Sequence, residues 1–521
     1  MPKRSPTHKL LIRADAGPKQ GAGHVMRCLA LGQAWQKMGG QVTLLTGPLP
    51  ARLSMRLNAE NINLQTLPPD TDDHSETLIF NQLIEQDKPD WVVLDGYQFG
   101  DEYQQNLKLK NARLLAIDDY GHGKHGLADA IFNQNAYASG RDYLTSQSGP
   151  EVIAGLEYVL LRDEFLSPKR SISELPKAGN AKRILLTFGG SDPNNTTDEV
   201  LQVLNACAAP STSVDVIVGP CNPHIERLKV TAKRLQISIR FHSNVDRMST
   251  LFDRTDLAIT AAGSTCYELC HAGVPMIAIP IAPNQEKLAH ELCQQGAAQK
   301  LTLNDLKTGH AKKVIGQCIR DSKQRQALSE TGFRLVDGQG AARLARRLCS
   351  HLYHFRLAQD RDASLLLDWH NDSEIRATRL GTTAIEENQL LEWILNQIND
   401  DHQLNWIIEN HEGRPVGQIH LDSSSENRTV IRISLTPSMR GKGIGTALIE
   451  AACRKRNQES GDTQFFAHIK PIDIASQTAF RKAGFKPVAT KTIHGQVALE
   501  LFYQAEMKHA PSHVAPQLKA S

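Results

Sequence analysis

Four stretches of the chain carry residue types at spacings suited to chemistry on an anionic ligand. The first, AGPKQGAGHVMRCLALGQAW, places Gly21 and Gly23 just before a helical pattern in which Val25, Leu29, Leu31 and Trp35 are apolar, with His24 on the first turn. Glycines there let backbone N–H groups and a helix N-terminus approach a pyrophosphate, and His24 would face the same cleft. GxGH falls short of the dinucleotide fingerprint GxGxxG, and a tight turn with a capping histidine is the plain alternative. Its company favours chemistry. Asp95-Gly96-Tyr97 and Asp118-Asp119-Tyr120 each follow an apolar strand pattern, which would gather acids and phenols at one sheet edge.

The second stretch, RILLTFGGSDPNN, sets Gly189, Gly190 and Ser191 straight after a strand pattern, suited to backbone contact with phosphate or sugar. In the third, LAITAAGSTCYELCHAG, Gly263, Ser264 and Thr265 open a helix that carries Glu268 one turn in, where an acid can accept from ribose hydroxyls. The loop IAPNQEKLA then offers Asn284 and Gln285 before another helix. The fourth stretch, TVIRISLTPSMRGKGIGTALIEAA, is the strongest motif. A strand ending near Leu435 runs into Arg440-Gly441-Lys442-Gly443-Ile444-Gly445, then a helix with Leu448, Ile449 and Ala452 apolar. Successive N–H groups of such a turn can wrap a cofactor pyrophosphate, with Arg440 and Lys442 adding positive charge.

The elements that must position these residues are legible in the periodicity. KLLIR at 9, QVTLLT at 41, WVVLD at 91 and RLLAID at 113 alternate with longer amphipathic segments, the rhythm of βα units around a buried parallel sheet. After Phe165 comes SPKRSISELPKAGNAK, rich in Pro, Ser and charge; the pattern then restarts with RILLTF at 183, VDVIV at 214, ISIRF at 237, LAIT at 257 and MIAIP at 276. A boundary near residues 166–181 predicts Rossmann-like domains over 1–170 and 171–350, with a cleft between the carboxyl ends of their sheets. From His354 the style changes: FRLAQDRDASLLLDWHND, an amphipathic segment around Leu390 to Ile398, then WIIEN, PVGQIHL and TVIRISLTP in hairpin-like succession. This predicts an α+β domain over 351–510 and a disordered tail over 511–521.

The whole chain of 521 residues is long enough for several cores. Its 59 Lys+Arg against 56 Asp+Glu leave a net charge of only +3, which argues against a nucleic-acid partner. No apolar run approaches a signal-peptide core or a spanning helix, so the expected setting is cytoplasmic with no integral membrane segment. The nine cysteines include no CxxC pair, so structural zinc is not expected; Cys266 and Cys270 read as buried apolar residues.

The order GAGHVMR at 21, LDGY at 94, the acidic pair at 118, NQNAYA at 133, LRDEF at 161, GGSD at 189 and AGSTCYEL at 262 resembles a known arrangement. It is similar to the two-domain glycosyltransferase-like (GT-B) fold shared with the peptidoglycan N-acetylglucosaminyltransferase. Within that fold it is nearest to the UDP-2,4-diacetamido-2,4,6-trideoxy-β-L-altropyranose hydrolases of pseudaminic acid biosynthesis, over roughly residues 9–345. The resemblance implies that His24 is the base activating water against the anomeric carbon. It also implies a UDP- and substrate-binding set of Gly189, Gly190, Ser191, Ser264, Thr265, Glu268, Asn284 and Gln285, which Asp15, Gly21, Gly23, Tyr97, Asp118, Asp119 and Asn135 would join. Asp15 or Asp118 could orient the imidazole, and the sequence does not choose between them. UDP is a good leaving group, so the scheme requires no metal.

RGKGIG is similar to the acyl-CoA pyrophosphate loop of the GNAT N-acetyltransferases, and the resemblance spans roughly residues 354–504. It implies a GNAT domain using acetyl-CoA as co-substrate, with Leu435, Arg440, Gly441, Lys442, Gly443, Ile444, Gly445, Asp473 and Ser476 at the cofactor. In FFAHIKPIDIASQTAFRKAGF, Asp473 stands where Asn is usual and Phe480 where Tyr is frequent. Phe480 cannot donate a proton. His468 or a water could do so instead, and Glu409 and His420 are loose candidates for the base. The combination implies a bifunctional nucleotide-sugar enzyme whose acetylated product feeds its own hydrolase. A glycosyltransferase carrying a regulatory acetyl-CoA-binding domain is the alternative.

Overall fold

The computed structural model describes residues 8–505 except 18–20, 122, 139–142, 144–148, 167–178, 220–221, 244, 246, 381–402 and 426–427. The expected segment around Leu390 to Ile398, most of the linker after Phe165 and the tail 511–521 lie outside the described residues. The chain forms two compact units, the first ending at Ala345 and the second beginning at Arg346.

The first unit holds two parallel sheets, as the βα rhythm predicts. One has β1 (Lys9–Ala14), β2 (Gln41–Thr46), β3 (Asn63–Thr66), β4 (Trp91–Asp95), β5 (Arg113–Ile117), β6 (Ala130–Asn133) and β7 (Glu151–Ala154) in the order β3-β2-β1-β4-β5-β6-β7. The other has β8 (Arg183–Thr187), β9 (Ser213–Val218), β10 (Ser238–Ser243), β11 (Leu257–Thr260), β12 (Met276–Ala278) and β13 (Ala298–Lys300) in the order β10-β9-β8-β11-β12-β13. Central strands such as WVVLD are buried along their whole length, because helices cover both faces. Strand order reverses between β1 and β4 and between β8 and β11, and such switch points open a crevice at the carboxyl ends. After β7 the chain crosses over. Val159, Leu161 and Phe165 pack with Cys266, Tyr267, Leu269 and Cys270 in a core of the second sheet.

The second unit is built on one mixed sheet: β14 (Tyr353–Leu357), β15 (Gln403–Asn410), β16 (Pro415–Ser425), β17 (Arg428–Leu435), β18 (Gln464–Ile469), β19 (Lys486–Ile493) and β20 (Gln496–Gln504), ordered β14-β15-β16-β17-β18-β20-β19. Its neighbours are antiparallel except β17 and β18. Those two pair in parallel only at Thr429–Phe465 and Val430–Phe466 and then diverge, leaving a slot at their carboxyl ends.

Candidate functional site

In the first unit both glycine loops sit at switch points and touch. Gly21, at φ +72°, exchanges backbone hydrogen bonds with Gly17 at 2.8 and 3.0 Å, closing the turn into the helix Gly23–Lys37. Across the cleft Gly189, at φ +78°, follows β8. A Cβ on Gly190 would lie 3.1 Å from the Gly21 Cα, so a side chain there would push the loops apart.

His24 is gripped by a carboxylate, and that carboxylate is Asp95 at the end of β4. Nδ1 lies 2.6 Å from Asp95 Oδ1. Asp95 is fully buried and also accepts from Arg27 Nε at 2.7 Å and Arg27 Nη2 at 2.5 Å. Burial alone would raise the Asp95 carboxyl, but Arg27 and then His24 outweigh it and hold the group well below the ordinary carboxylate range. An ionised Asp95 has no hydrogen to give, so the 2.6 Å contact requires the hydrogen on Nδ1. Nε2 then carries the free lone pair, and among the described residues it makes no hydrogen bond.

Neither carboxylate expected to orient the imidazole does so. Asp15 accepts from the Gly47 N–H at 2.7 Å and Gln98 Nε2 at 3.1 Å and pairs with Arg13. Asp118 is buried, capping the turn at Tyr120 and Gly121 (2.9 and 2.8 Å) and meeting His125 Nε2 at 3.1 Å. These side chains lock the loops after β1 and β5. Asp119 does join the His24 network: it accepts from Arg27 Nη1 at 2.7 Å, Asn135 Nδ2 at 3.1 Å and the Tyr97 hydroxyl at 3.2 Å. The Tyr97 ring stands edge-on to His24, centroids 5.2 Å apart, and Asn284 Nδ2 donates to its oxygen at 3.2 Å across the cleft. Burial and then Asp119 push the Tyr97 phenol up, so it remains protonated.

On the facing wall Ser264 and Thr265 begin the helix Thr265–Ala272. Glu268, expected to meet a ribose, accepts from Arg162 Nη2 at 2.9 Å, and burial raises its pKa despite that cation. Gln285 folds back to accept from the Ile281 N–H at 3.0 Å and so holds its own loop. Sequence reasoning gave no role to Arg27 or Arg162. Arg27 had a signal, since it lies three residues after His24 on one helix face, within GAGHVMR.

In the second unit Gly441 and Gly443 adopt φ near +75°, and Gly443 caps the helix Ile444–Ser460. The expected contribution of Arg440 to cofactor charge needs correcting. Its guanidinium reaches away to Asp372 Oδ1 (3.1 Å), Glu374 Oε2 (2.5 Å) and the Leu435 carbonyl (2.9 Å), tying the loop to the helix Ser373–Thr378. Asp473 caps the helix Ile474–Lys482 through the Ser476 N–H at 2.9 Å. Asp473, Ser476 and Phe480 line a cavity of about 230 Å³ between the diverging strands, with His468 on β18 and Ile431 to Ser434 on β17. Glu409 is held by Arg356 at 2.7 Å and is not among the cavity-lining residues; His420 lines the cavity, its Nε2 2.9 Å from Gln403 Oε1.

Comparison with known proteins follows this division. Residues 184–344 match the glycosyltransferase family 28 C-terminal domain and residues 353–486 the acetyltransferase (GNAT) domain. An uncharacterized protein of Methanocaldococcus jannaschii is 24% identical over 490 residues, covering 92% of this chain and 96% of that one. The UDP-2,4-diacetamido-2,4,6-trideoxy-beta-L-altropyranose hydrolase of Campylobacter jejuni is 25% identical over 293 residues, 55% of this chain and 97% of that enzyme. The spore coat polysaccharide biosynthesis protein SpsG of Bacillus subtilis is 25% identical over 338 residues, 64% of this chain and 95% of its own. The chain resembles a nucleotide-sugar hydrolase fused to a GNAT acetyltransferase. Two Rossmann-like GT-B domains thus make up the hydrolase-like unit, and the mixed sheet is the core of the GNAT domain. Among the described residues no helix is long and apolar enough to cross a membrane, and no group of three or more His, Cys, Asp or Glu is placed to hold a metal ion.

Proposed function

We propose that the hydrolase-like unit cleaves UDP-2,4-diacetamido-2,4,6-trideoxy-β-L-altropyranose to UDP and the free sugar. The GNAT domain, in this reading, acetylates the 4-amino group of the UDP-amino-sugar precursor with acetyl-CoA. The observation that carries the first step is the His24–Asp95 contact beside the two touching glycine loops. Asp95 fixes the hydrogen on Nδ1 and Nε2 takes a proton from water; the water oxygen bonds to the anomeric carbon as the bond to the UDP oxygen breaks. The charge gathering on UDP meets backbone N–H groups of the Gly189–Ser191 loop and the N-terminus of the helix Thr265–Ala272, and UDP departs without needing a proton.

For the second step the cavity supports an anionic acceptor. Arg379 and Arg432 line it, with the polar rings of His370, His420, His468 and His494 beside them, whereas the one carboxylate among the described lining residues, Asp473, is engaged as a helix cap. A nucleotide diphosphate suits such walls better than a polycation does.

Products from a panel of UDP-amino sugars, with and without acetyl-CoA, followed by mass spectrometry, test both steps. Acetylation followed by UDP and a free diacetamido sugar is expected. Sugar recovered only on a lipid or protein acceptor would replace hydrolysis by glycosyl transfer. Faster UDP release with acetyl-CoA but no CoA formed would make the GNAT domain a sensor.

A further inference from the structure

We propose that His468, held by Glu500, carries the proton of acetyl transfer in the GNAT domain, the task that Phe480 cannot perform. This rests on the reading of that domain as an active acetyltransferase, but not on the identity of its amine.

Phe480 is nearly fully buried and packs edge-on against Phe485 with centroids 5.0 Å apart, so that wall of the cavity is hydrocarbon. His468 lines the same cavity from β18, in the stretch past Phe466 where β18 has parted from β17. Its neighbours Ala467 and Ile469 are buried, whereas His468 lies on the alternate face of the strand, half-buried. Directly opposite on β20 is Glu500, and His468 Nε2 is 3.1 Å from Glu500 Oε1.

Glu500 is buried, yet it has cations on both sides: Arg428 from β17, within hydrogen-bond reach, and Lys491 from β19 at 2.7 Å. Burial would raise its carboxyl, but hydrogen bonds from Lys491, His468 and Arg428 outweigh that and keep it ionised. An ionised carboxylate fixes the hydrogen on Nε2. The lone pair is then on Nδ1, which among the described residues makes no hydrogen bond. The other histidines with partners in that cavity meet different groups. His370 contacts the Arg379 guanidinium, and burial followed by that cation pushes its pKa down to about 4. His420 Nε2 meets the neutral Gln403 amide, which cannot balance an imidazolium.

The neutral amine attacks the thioester carbonyl and a C–N bond forms. The tetrahedral adduct collapses, and the C–S bond breaks with its electron pair on sulfur. One N–H proton passes to His468 Nδ1, where Glu500 stabilises the imidazolium, and from there to the CoA sulfur. Amine and acetyl-CoA become amide and CoA thiol, and His468 ends neutral.

A cross-strand pair could also be purely structural, so the test includes measurements that a structural role would not move. In the full chain labelled with 15N-histidine, and with His468→Gln or His468→Asn identifying the resonance, the His468 titration is followed with no ligand, with CoA and with desulfo-CoA. CoA should move the midpoint by about one pH unit and desulfo-CoA should not, because the sulfur is what differs. Equal titration with both overturns the proposal. In steady state, His468→Gln should lower kcat about 100-fold while KM for acetyl-CoA stays within several-fold, and Glu500→Gln should act in the same direction but less. A kcat near wild type in His468→Gln, with only stability or KM altered, also overturns it. Should the wild type fail to acetylate the UDP-4-amino sugar, the acceptor reading falls, and the NMR comparison, which contains no acceptor, still decides for or against His468.

Discussion

The two units each carry a histidine against a carboxylate, but they build the pair in different ways. His24 and Asp95 are 71 positions apart and meet because a parallel sheet brings the carboxyl ends of its strands to one edge, whatever the distance between them in sequence. His468 and Glu500 meet because the antiparallel register of β18 and β20 sets them opposite. Their surroundings differ too. Asp95 is sealed from solvent with one arginine, which continues to Asp119, whereas Glu500 divides its charge among Arg428, Lys491 and His468. A parallel edge yields a chain of charges in which each link depends on the next. A cross-strand pair tolerates the loss of one partner better, since other partners remain.

The sharpest way to break that comparison is Asp95→Asn. It removes one of the two carboxylates that balance Arg27 in the interior, leaving Asp119, and removes the group that fixes the His24 tautomer. UDP release is expected to fall by about 100- to 10,000-fold, and stability by about 1–3 kcal/mol, since Arg27 keeps Asp119. The pH dependence follows from the depressed carboxyl. The folded value lies below the unfolded one of about 3.9, so this stabilisation is complete above roughly pH 5 and is lost as pH falls through 4 towards the folded value. Thermal unfolding of Asp95→Asn should therefore be flatter across that window than wild type; parallel curves would deny Asp95 its charge.

Next in size, His24→Ala should lower saturating UDP release at least ~100-fold while acetyl transfer stays near wild type. A saturating rate within several-fold of wild type would take His24 out of the mechanism. In the GNAT domain, Gly443→Val places a β-branched residue at φ +74° and fills the approach to backbone donors. Loss of even one such hydrogen bond to a phosphate should weaken acetyl-CoA binding about 10-fold. Calorimetry showing unchanged binding would mean that this loop does not hold the cofactor.

Much of this was legible in the sequence, and the limits have physical causes. WVVLD, RILLTF and LAIT announce buried parallel strands because both of their faces are apolar. Asn63–Thr66 and Glu151–Ala154, at the sheet edges, carry mixed residues and leave no such signal. Asp95 was visible as an acid after a strand, yet nothing local says which of several such acids reaches His24. That choice depends on β4 lying beside β1. Glu500 was less legible still, because its partner is set by strand register alone. Arg440 shows the converse error: its place in a glycine loop suggested phosphate, and only the fold reveals Asp372 and Glu374 beside it.

The smallest effect is expected at Tyr97, and it measures how far the charge chain of the hydrolase-like unit extends. Tyr97→Phe keeps the ring that stands edge-on to His24 and removes only the hydroxyl between Asp119 and Asn284. Asp119 retains Arg27 and Asn135, so no buried charge is stranded and the loss should be that of an ordinary hydrogen bond, about 1 kcal/mol or roughly 5-fold. Because Asn284 stands on the opposite wall, that loss should appear in KM for the UDP-sugar, with kcat nearly unchanged. A fall in kcat approaching that of His24→Ala would mean that the phenol takes part in the chemistry. Asp119 and Tyr97 would then belong to the reacting chain, and the contrast with the shared charge at Glu500 would be larger than the distances alone imply.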